Sequence, residues 1–159
     1  MVDVVDKITR SRMMAGIRSG NTKPEIVIRK GLHKLGYRFR LNSKVRSIKP
    51  DVVLRRRKVA IFAHGCYWHQ HDGCQLAYSD RSYSDSWINK FEQNQQRDLR
   101  VSNQLLEMGW RVAVIWECAT RDEKVFTDVL SELDSWIECS DSRAYESGYR
   151  KRAPSNSEK

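Results

Sequence analysis

Two short apolar runs set the pattern of the chain: Val52-Val53-Leu54 and Val59-Ala60-Ile61-Phe62-Ala63, separated by the basic turn Arg55 to Lys58. Runs this short and this apolar, joined by a tight polar turn, predict a β-hairpin that is central and covered on both faces. Upstream, Ile28, Leu32 and Leu35 recur at helical spacing behind Thr22-Lys23-Pro24-Glu25, which has the form of a capping box, and Gly36 supplies the stop. Tyr37 to Leu41 alternates aromatic or apolar with basic residues and reads as a half-exposed strand. Asp85 to Met108 reads as a long helix closed by Gly109, with Phe91, Asp98 and Leu105 on one face beside Asn94 and Gln95. Asp98 therefore points inward and needs a donor, a positive charge or a metal-linked histidine. Arg111 to Trp116 is a further strand, parallel after its helical crossover, and Val125 to Ile137 is a closing helix. The expected order is helix, three strands, helix, strand, helix.

Residues 1–21 precede this pattern. Within them, residues 9–18 form a short basic segment in which Met13, Met14 and Ile17 share a side, suited either to packing on the core or to lying on a duplex. Residues 22–139 hold the domain. Residues 140–159, polar and Ser-rich, read as a disordered basic tail.

A chain of 159 residues is long enough for one ordinary core. Charged residues make up 31%, and no apolar run approaches the roughly 18 residues of a membrane span. The acidic start, with Asp3 and Asp6, is unlike a signal peptide. The expected location is the cytoplasm, where cysteines serve as thiols or metal ligands rather than disulfides. Lys plus Arg exceed Asp plus Glu by 29 to 20, a formal net charge of +9. That excess points to a polyanion, nucleic acid first, and the five Trp and six Tyr offer surfaces for stacking on bases.

The chemistry concentrates in His64-Gly65-Cys66-Tyr67-Trp68-His69-Gln70-His71-Asp72-Gly73-Cys74. Cys66 and Cys74 with one histidine of the loop, together with Cys118 beyond the later strand, suit a tetrahedral Cys₃His zinc site. Four protein ligands with no open position would make that site structural. Spacing alone leaves His69 and His71 as alternative ligands. Asp51, at the head of the hairpin, faces the histidine-rich end of the partner strand. That is the layout of a nuclease site, in which an acid holds Mg²⁺ against the scissile phosphate and a histidine takes a proton from water.

The segments Asp6 to Ser11, Pro50-Asp51, Phe62 to His69, Gly109 to Val112 and Trp116-Glu117-Cys118 resemble the very-short-patch-repair (Vsr) DNA mismatch endonucleases, in order and over about residues 3–138. The resemblance implies an α/β fold of the PD-(D/E)xK restriction-endonuclease type, a mixed central sheet flanked by helices, with Phe62-Ala63-His64 replacing the usual D/E-x-K triplet. It implies nicking 5′ to the thymine of a T:G mismatch, the product of 5-methylcytosine deamination. Asp51 and the Ala63 carbonyl would hold Mg²⁺, His69 and Asp98 would form an acid–base pair, and His64 would lie at the phosphate with Glu25 nearby. Zinc would go to Cys66, His71, Cys74 and Cys118, which resolves the choice of histidine. Tyr67, Trp68 and Trp87 would wedge into the duplex with Lys90 close by, and Met14 and Ile17 would grip its other side. The implied partners are mismatched double-stranded DNA, a cytosine-5 methyltransferase and downstream repair proteins, met by a monomer at the nucleoid. The chain departs from the family pattern at Tyr67, where Phe is common, and in lacking a proline in 75–86. Two rival readings remain: a relaxed nickase that also cuts matched DNA, and a zinc-stabilised DNA-binding protein without cleavage.

Overall fold

The computed structural model describes residues 22–40, 43–74, 76–77 and 85–147. Met14 and Ile17, and with them the whole N-terminal arm, lie outside the described residues. The elements are α1 (Lys23–Lys34), β1 (Val52–Leu54), β2 (Val59–His64), α2 (Asp85–Glu107), β3 (Arg111–Trp116), the short α3 (Glu117–Thr120), α4 (Glu123–Cys139) and β4 (Ala144–Ser147). The sheet order is β1-β2-β3-β4. β1 and β2 are antiparallel, whereas β2, β3 and β4 run parallel. This is the mixed α/β sheet flanked by helices that the hydrophobic pattern predicts.

The apolar runs are explained by two-sided cover. Val52, Leu54, Val59, Ile61, Ala113 and Ile115 face one way, into a core shared with Ile28 and Leu32 of α1 and Val129, Leu133 and Trp136 of α4. Val53, Ala60 and Val112 face the other way, against Leu105 of α2 and the Val45–Ile48 turn. β-Strand side chains alternate between faces, so a strand with helices on both sides must be apolar at every position.

Four local expectations are corrected. β1 is an edge strand rather than central, although its three residues are buried. Residues 37–40 form no strand, because their polar groups are taken elsewhere. The Tyr37 amide donates to Leu32 O, its hydroxyl bonds Asp134 and Glu138 of α4, and Arg38 turns back to the His33 carbonyl. The capping box does not close: Thr22 is the N-cap residue but makes no side-chain cap bond, and the Glu25 carboxylate pairs with Arg29 at 3.1 Å instead. A charge-assisted bond to guanidinium outweighs one more backbone amide.

The fourth correction concerns the tail set at residues 140–159, whose first part is structured. Ala144–Ser147 adds β4 to the sheet beside β3, and Glu146 accepts the Trp116 indole N–H at 2.7 Å. Tyr145 packs on Trp136, and Arg111 caps the end of α4 by donating to the Trp136, Ile137 and Ser140 carbonyls. The strand is four residues long and only half buried, so it carries little hydrophobic signal. Truncation after Ser140 should therefore destabilise the domain. The lost ladder, the half-buried Tyr145 and the orphaned indole N–H together amount to about 2–4 kcal/mol. Thermal melting should show a drop of roughly 5–15 °C, and an unchanged midpoint would mean that β4 contributes nothing.

Candidate functional site

The parallel register aligns His64 with Trp116 at the shared C-terminal end of β2 and β3. Gly65 and Cys66 therefore leave the sheet beside Glu117 and Cys118, and the Cys118 amide donates to the Cys66 sulfur at 3.3 Å. The loop folds back in short turns: the His69 amide bonds Gly65 O, the His71 amide bonds Cys66 O, and the Cys74 amide bonds His71 O. Gln70 and Gly73 take left-handed conformations, at φ 49° and 68°. At Gly73 that backbone suits glycine.

These turns gather two clusters from one loop. In the first, donor atoms of Cys66, His71, Cys74 and Cys118 lie within 4.8 Å of one another. His71 Nδ1 is 3.7 Å from Cys66 Sγ and 3.5 Å from Cys118 Sγ. Those separations match the edges of about 3.5–3.8 Å expected of a tetrahedral thiolate–imidazole site with metal bonds of about 2.0–2.3 Å. The neighbouring Cys118 thiol and burial together push the Cys66 thiol well above its ordinary range. His71 stacks on Trp116 at 4.2 Å, which fixes the ring plane. This donor set can hold a metal ion.

The second cluster opens onto a cleft of about 930 Å³ between β2, α2 and the start of α1. His69 Nδ1 lies 2.5 Å from Asp98 Oδ2, and His64 Nε2 lies 3.9 Å from Asp98 Oδ1. The two imidazoles stack face to face, 4.1 Å apart and nearly parallel. Burial first, then the adjacent His69, lowers the His64 pKa to about 4, so His64 is neutral at pH 7. Across the cleft, the Ala63 amide donates to Asp51 Oδ2 at 2.7 Å. Burial raises the Asp51 pKa to about 6; the Ala63 bond opposes the rise, and the charge and hydrogen bond of nearby Glu25 add to it. Two carboxylates share a largely desolvated space, one of them balanced by Arg29, and a divalent cation bound there could relieve their repulsion. The inward face predicted for Asp98 is thus occupied by the two histidines.

Tyr67, Trp68 and Trp87 lie together, and of the three Trp68 lines the cleft, as does Lys90. Tyr67 makes edge contacts with Trp68 and Phe91, Trp68 lies 5.8 Å from Trp87, and Lys90 Nζ is 5.5 Å from the centroids of both tryptophan rings. Asn94 and Gln95 of α2 donate to Trp68 O and Gln70 O and strap the loop to the helix.

Sequence reasoning missed three supporting residues. Arg29 is the i+4 partner of Glu25, a spacing that could have exposed it. Trp116 contacts His64, His69 and His71. Glu117 lines the cleft and accepts the Cys66 amide at 3.4 Å while pairing with Arg121. The last two lie in the Trp116-Glu117-Cys118 segment that carries the family resemblance, but nothing in the sequence assigns them a role of their own.

A paired acid and imidazole beside a second acid site, at the end of a mixed sheet, is an arrangement that could serve hydrolysis. Residues 2–75 match the family model described as DNA mismatch endonuclease Vsr. The chain is 43% identical over 122 residues to the Type II nicking enzyme V.XorIIP of Xanthomonas oryzae, covering 77% of this chain and 89% of that one. It is 37% identical over 139 residues to the DNA mismatch endonuclease Vsr of Escherichia coli, covering 86% and 88%. Among solved structures, the Homing Endonuclease I-Bth0305I Catalytic Domain is 18% identical, with a TM-score of 0.46 over 74% of this chain and 96% of that chain. The chain belongs to the Vsr DNA mismatch endonuclease family and is a DNA endonuclease. Among the described residues, no helix is long and apolar enough to cross a membrane.

The Asp51 shift carries a stability consequence. Its folded pKa stands above that of an ordinary aspartate, so its favourable contribution is complete below about pH 4 and is lost as pH rises through about 6. At neutral pH the ionised carboxylate costs on the order of 2–3 kcal/mol. In chelator at pH 7.5, Asp51→Asn should melt several degrees above wild type, and the gain should vanish near pH 4. A variant less stable than wild type at pH 7.5 would contradict the burial argument.

Proposed function

We propose that this chain is a strand-specific nicking endonuclease that hydrolyses the phosphodiester 5′ to the thymine of a T:G mismatch in double-stranded DNA. The observation that carries the reading is the 2.5 Å His69–Asp98 contact set across one cleft from Asp51 and Glu25. The names of its relatives, mismatch endonuclease and nicking enzyme, support the substrate and the single-strand cut.

Asp98 accepts from His69 Nδ1, which leaves Nε2 to take a proton from the attacking water. His64, neutral and stacked on His69, offers a hydrogen bond to the phosphate without adding a second positive charge beside the imidazolium that forms. Asp51, with the Ala63 carbonyl and with Glu25 near, is suited to Mg²⁺; bound there, the ion supplies charge neutralisation at the phosphate and the leaving oxygen. The Cys66, His71, Cys74 and Cys118 set is suited to zinc, whose role is to stiffen the loop that presents His69. Tyr67, Trp68 and Trp87 supply flat apolar surface beside the cleft, with Lys90 and the arm residues Met14 and Ile17 as further DNA contacts. Wedging such rings into a duplex costs a few kcal/mol, and least at a mismatched step. The enzyme acts as a monomer in the cytoplasm at the nucleoid, downstream of a cytosine-5 methyltransferase and upstream of repair synthesis. In this reading residues 1–21 are a DNA-gripping arm on the domain that starts at residue 22.

The test is a T:G duplex beside its matched counterpart, each incubated with Mg²⁺ or EDTA. The expected product is one nick, on the T strand of the mismatched duplex and only with Mg²⁺. Equal nicking of both duplexes would instead indicate a relaxed nickase, and binding without product a non-catalytic protein. His69→Ala should lower single-turnover nicking by roughly 10²–10⁴ with duplex affinity retained. Because protons and cations compete for Asp51, the Mg²⁺ concentration for half-maximal nicking should rise as pH falls through about 6. A pH-independent requirement would exclude Asp51 as ligand. Metal analysis should find one zinc per chain, lost in Cys118→Ser together with the ordered loop.

A further inference from the structure

The catalytic cleft does not end at the acids. Ser47, Ile48 and Lys49 form part of its wall, and the chain leading to them starts at a second cleft at the opposite end of the β1–β2 hairpin. That second cleft is lined by Ser43, Arg40 and the Arg55–Arg57 turn. Arg55 ties the start of this segment to the hairpin turn by donating to Ser43 Oγ and to Lys44 O, at 3.0 and 2.7 Å. Residues 43–49 therefore form a ridge beside β1, pinned by Val45 and Ile48 against Val53. Lys44, Arg46 and Lys49 stand exposed on this ridge, and Arg40, Arg55 and Arg56 are exposed where it ends.

We infer that this ridge is a phosphate track, which takes the backbone of the duplex flanking the nick on one side only. The inference rests on the reading of the chain as a DNA-cutting enzyme. Three observations favour DNA over an acidic protein segment. The positive charge is continuous with the cleft in which the scissile phosphate would sit. It runs from Lys49 in the catalytic cleft along the ridge to the arginines of the second cleft. The two acids that also line the second cleft are already partnered: Asp134 and Glu138 accept from the Tyr37 hydroxyl, and Glu138 also pairs with Arg57. From Asp51 to Leu54 the strand extends roughly 10 Å at about 3.3 Å per residue, and the helical turn to Arg56 adds at most about 4 Å. At 3.4 Å per base pair along the axis, that reaches about four base pairs from the nick. Side chains on such a track meet phosphates, so they add affinity and salt dependence without reading bases.

The test uses Lys44→Gln, Arg46→Gln and Arg56→Gln combined. All three side chains are exposed, whereas Arg55 and Arg57, which hold neighbouring groups, are left intact. Affinity is measured against salt on a 30-base-pair T:G duplex, and on two versions cut back to about three base pairs from the nick on one flank or the other. Expected on the full duplex are a loss of roughly tenfold and a log–log salt slope shallower by about 2–3. The loss should persist when one flank is removed and disappear when the other is. An unchanged affinity and slope on the full duplex would overturn the track, and so would an equal loss on all three duplexes, which would reflect net charge alone. Nicking of the full duplex by wild type is the control for the activity itself. If wild type nicks while the variant binds as wild type does, the track fails and the enzymatic reading stands.

Discussion

The pairing of β2 with β3 is the constraint on which the site depends. Parallel strands end together, and here both ends carry chemistry: His64-Gly65-Cys66 on one, Trp116-Glu117-Cys118 on the other. The register that sets His64 opposite Trp116 also brings the Cys118 amide to the Cys66 sulfur. A slip of one residue in β2 would turn Ile61 off the α1–α4 core and part the two sulfur donors in the same step. Core packing and site assembly are therefore enforced by one alignment. The hydrophobic burial that stabilises the sheet also supplies the precision that the polar groups could not generate themselves.

That precision is needed because the polar groups oppose one another. Burial drives Asp51 toward its protonated form and His64 toward neutrality, and Glu25 adds a second negative charge beside Asp51. An arrangement this unfavourable to itself persists only inside a scaffold that overrides it. The scaffold is visible in the restraints: Ala63 bonds Asp51, Arg29 bonds Glu25, and Trp116 borders His64, His69 and His71. His69 is restrained through the loop as well as through Asp98, since Asn94 holds the carbonyl of the residue before it and Gln95 that of the residue after.

Much of this was legible before any coordinates, and the reason is periodicity. Strands covered on both faces must be apolar throughout, so β1, β2 and β3 stood out, and the seven-residue spacing of Phe91, Asp98 and Leu105 fixed which face of α2 turns inward. The chemistry of the 64–74 loop was legible because cysteine and histidine seldom cluster without a task. What escaped detection was decided by competition between partners for a single group. Thr22 and Glu25 have the spacing of a capping box, yet Arg29 offers the carboxylate a stronger bond. The alternation of residues 37–40 suits a strand, yet the Tyr37 hydroxyl and the Arg38 guanidinium are claimed by α4 and α1. Spacing lists what a residue can reach within its own segment; it is silent about what the fold brings from a hundred positions away.

β4 makes the same point from the other direction. Ala144-Tyr145-Glu146-Ser147 has neither the length nor the apolar content of a strand, and its neighbours are polar. It pairs because β3 presents an open edge, and because two of its side chains meet partners that would otherwise be poorly served. Glu146 accepts the indole N–H of Trp116, and Tyr145 covers Trp136. Trp116 is the residue that stacks on His71, so the final strand of the sheet acts on the metal cluster through one side chain. A segment with no catalytic group of its own thereby helps to set the plane of an imidazole in the ligand set. Cutting the chain at the apparent start of a tail would remove that restraint together with the strand.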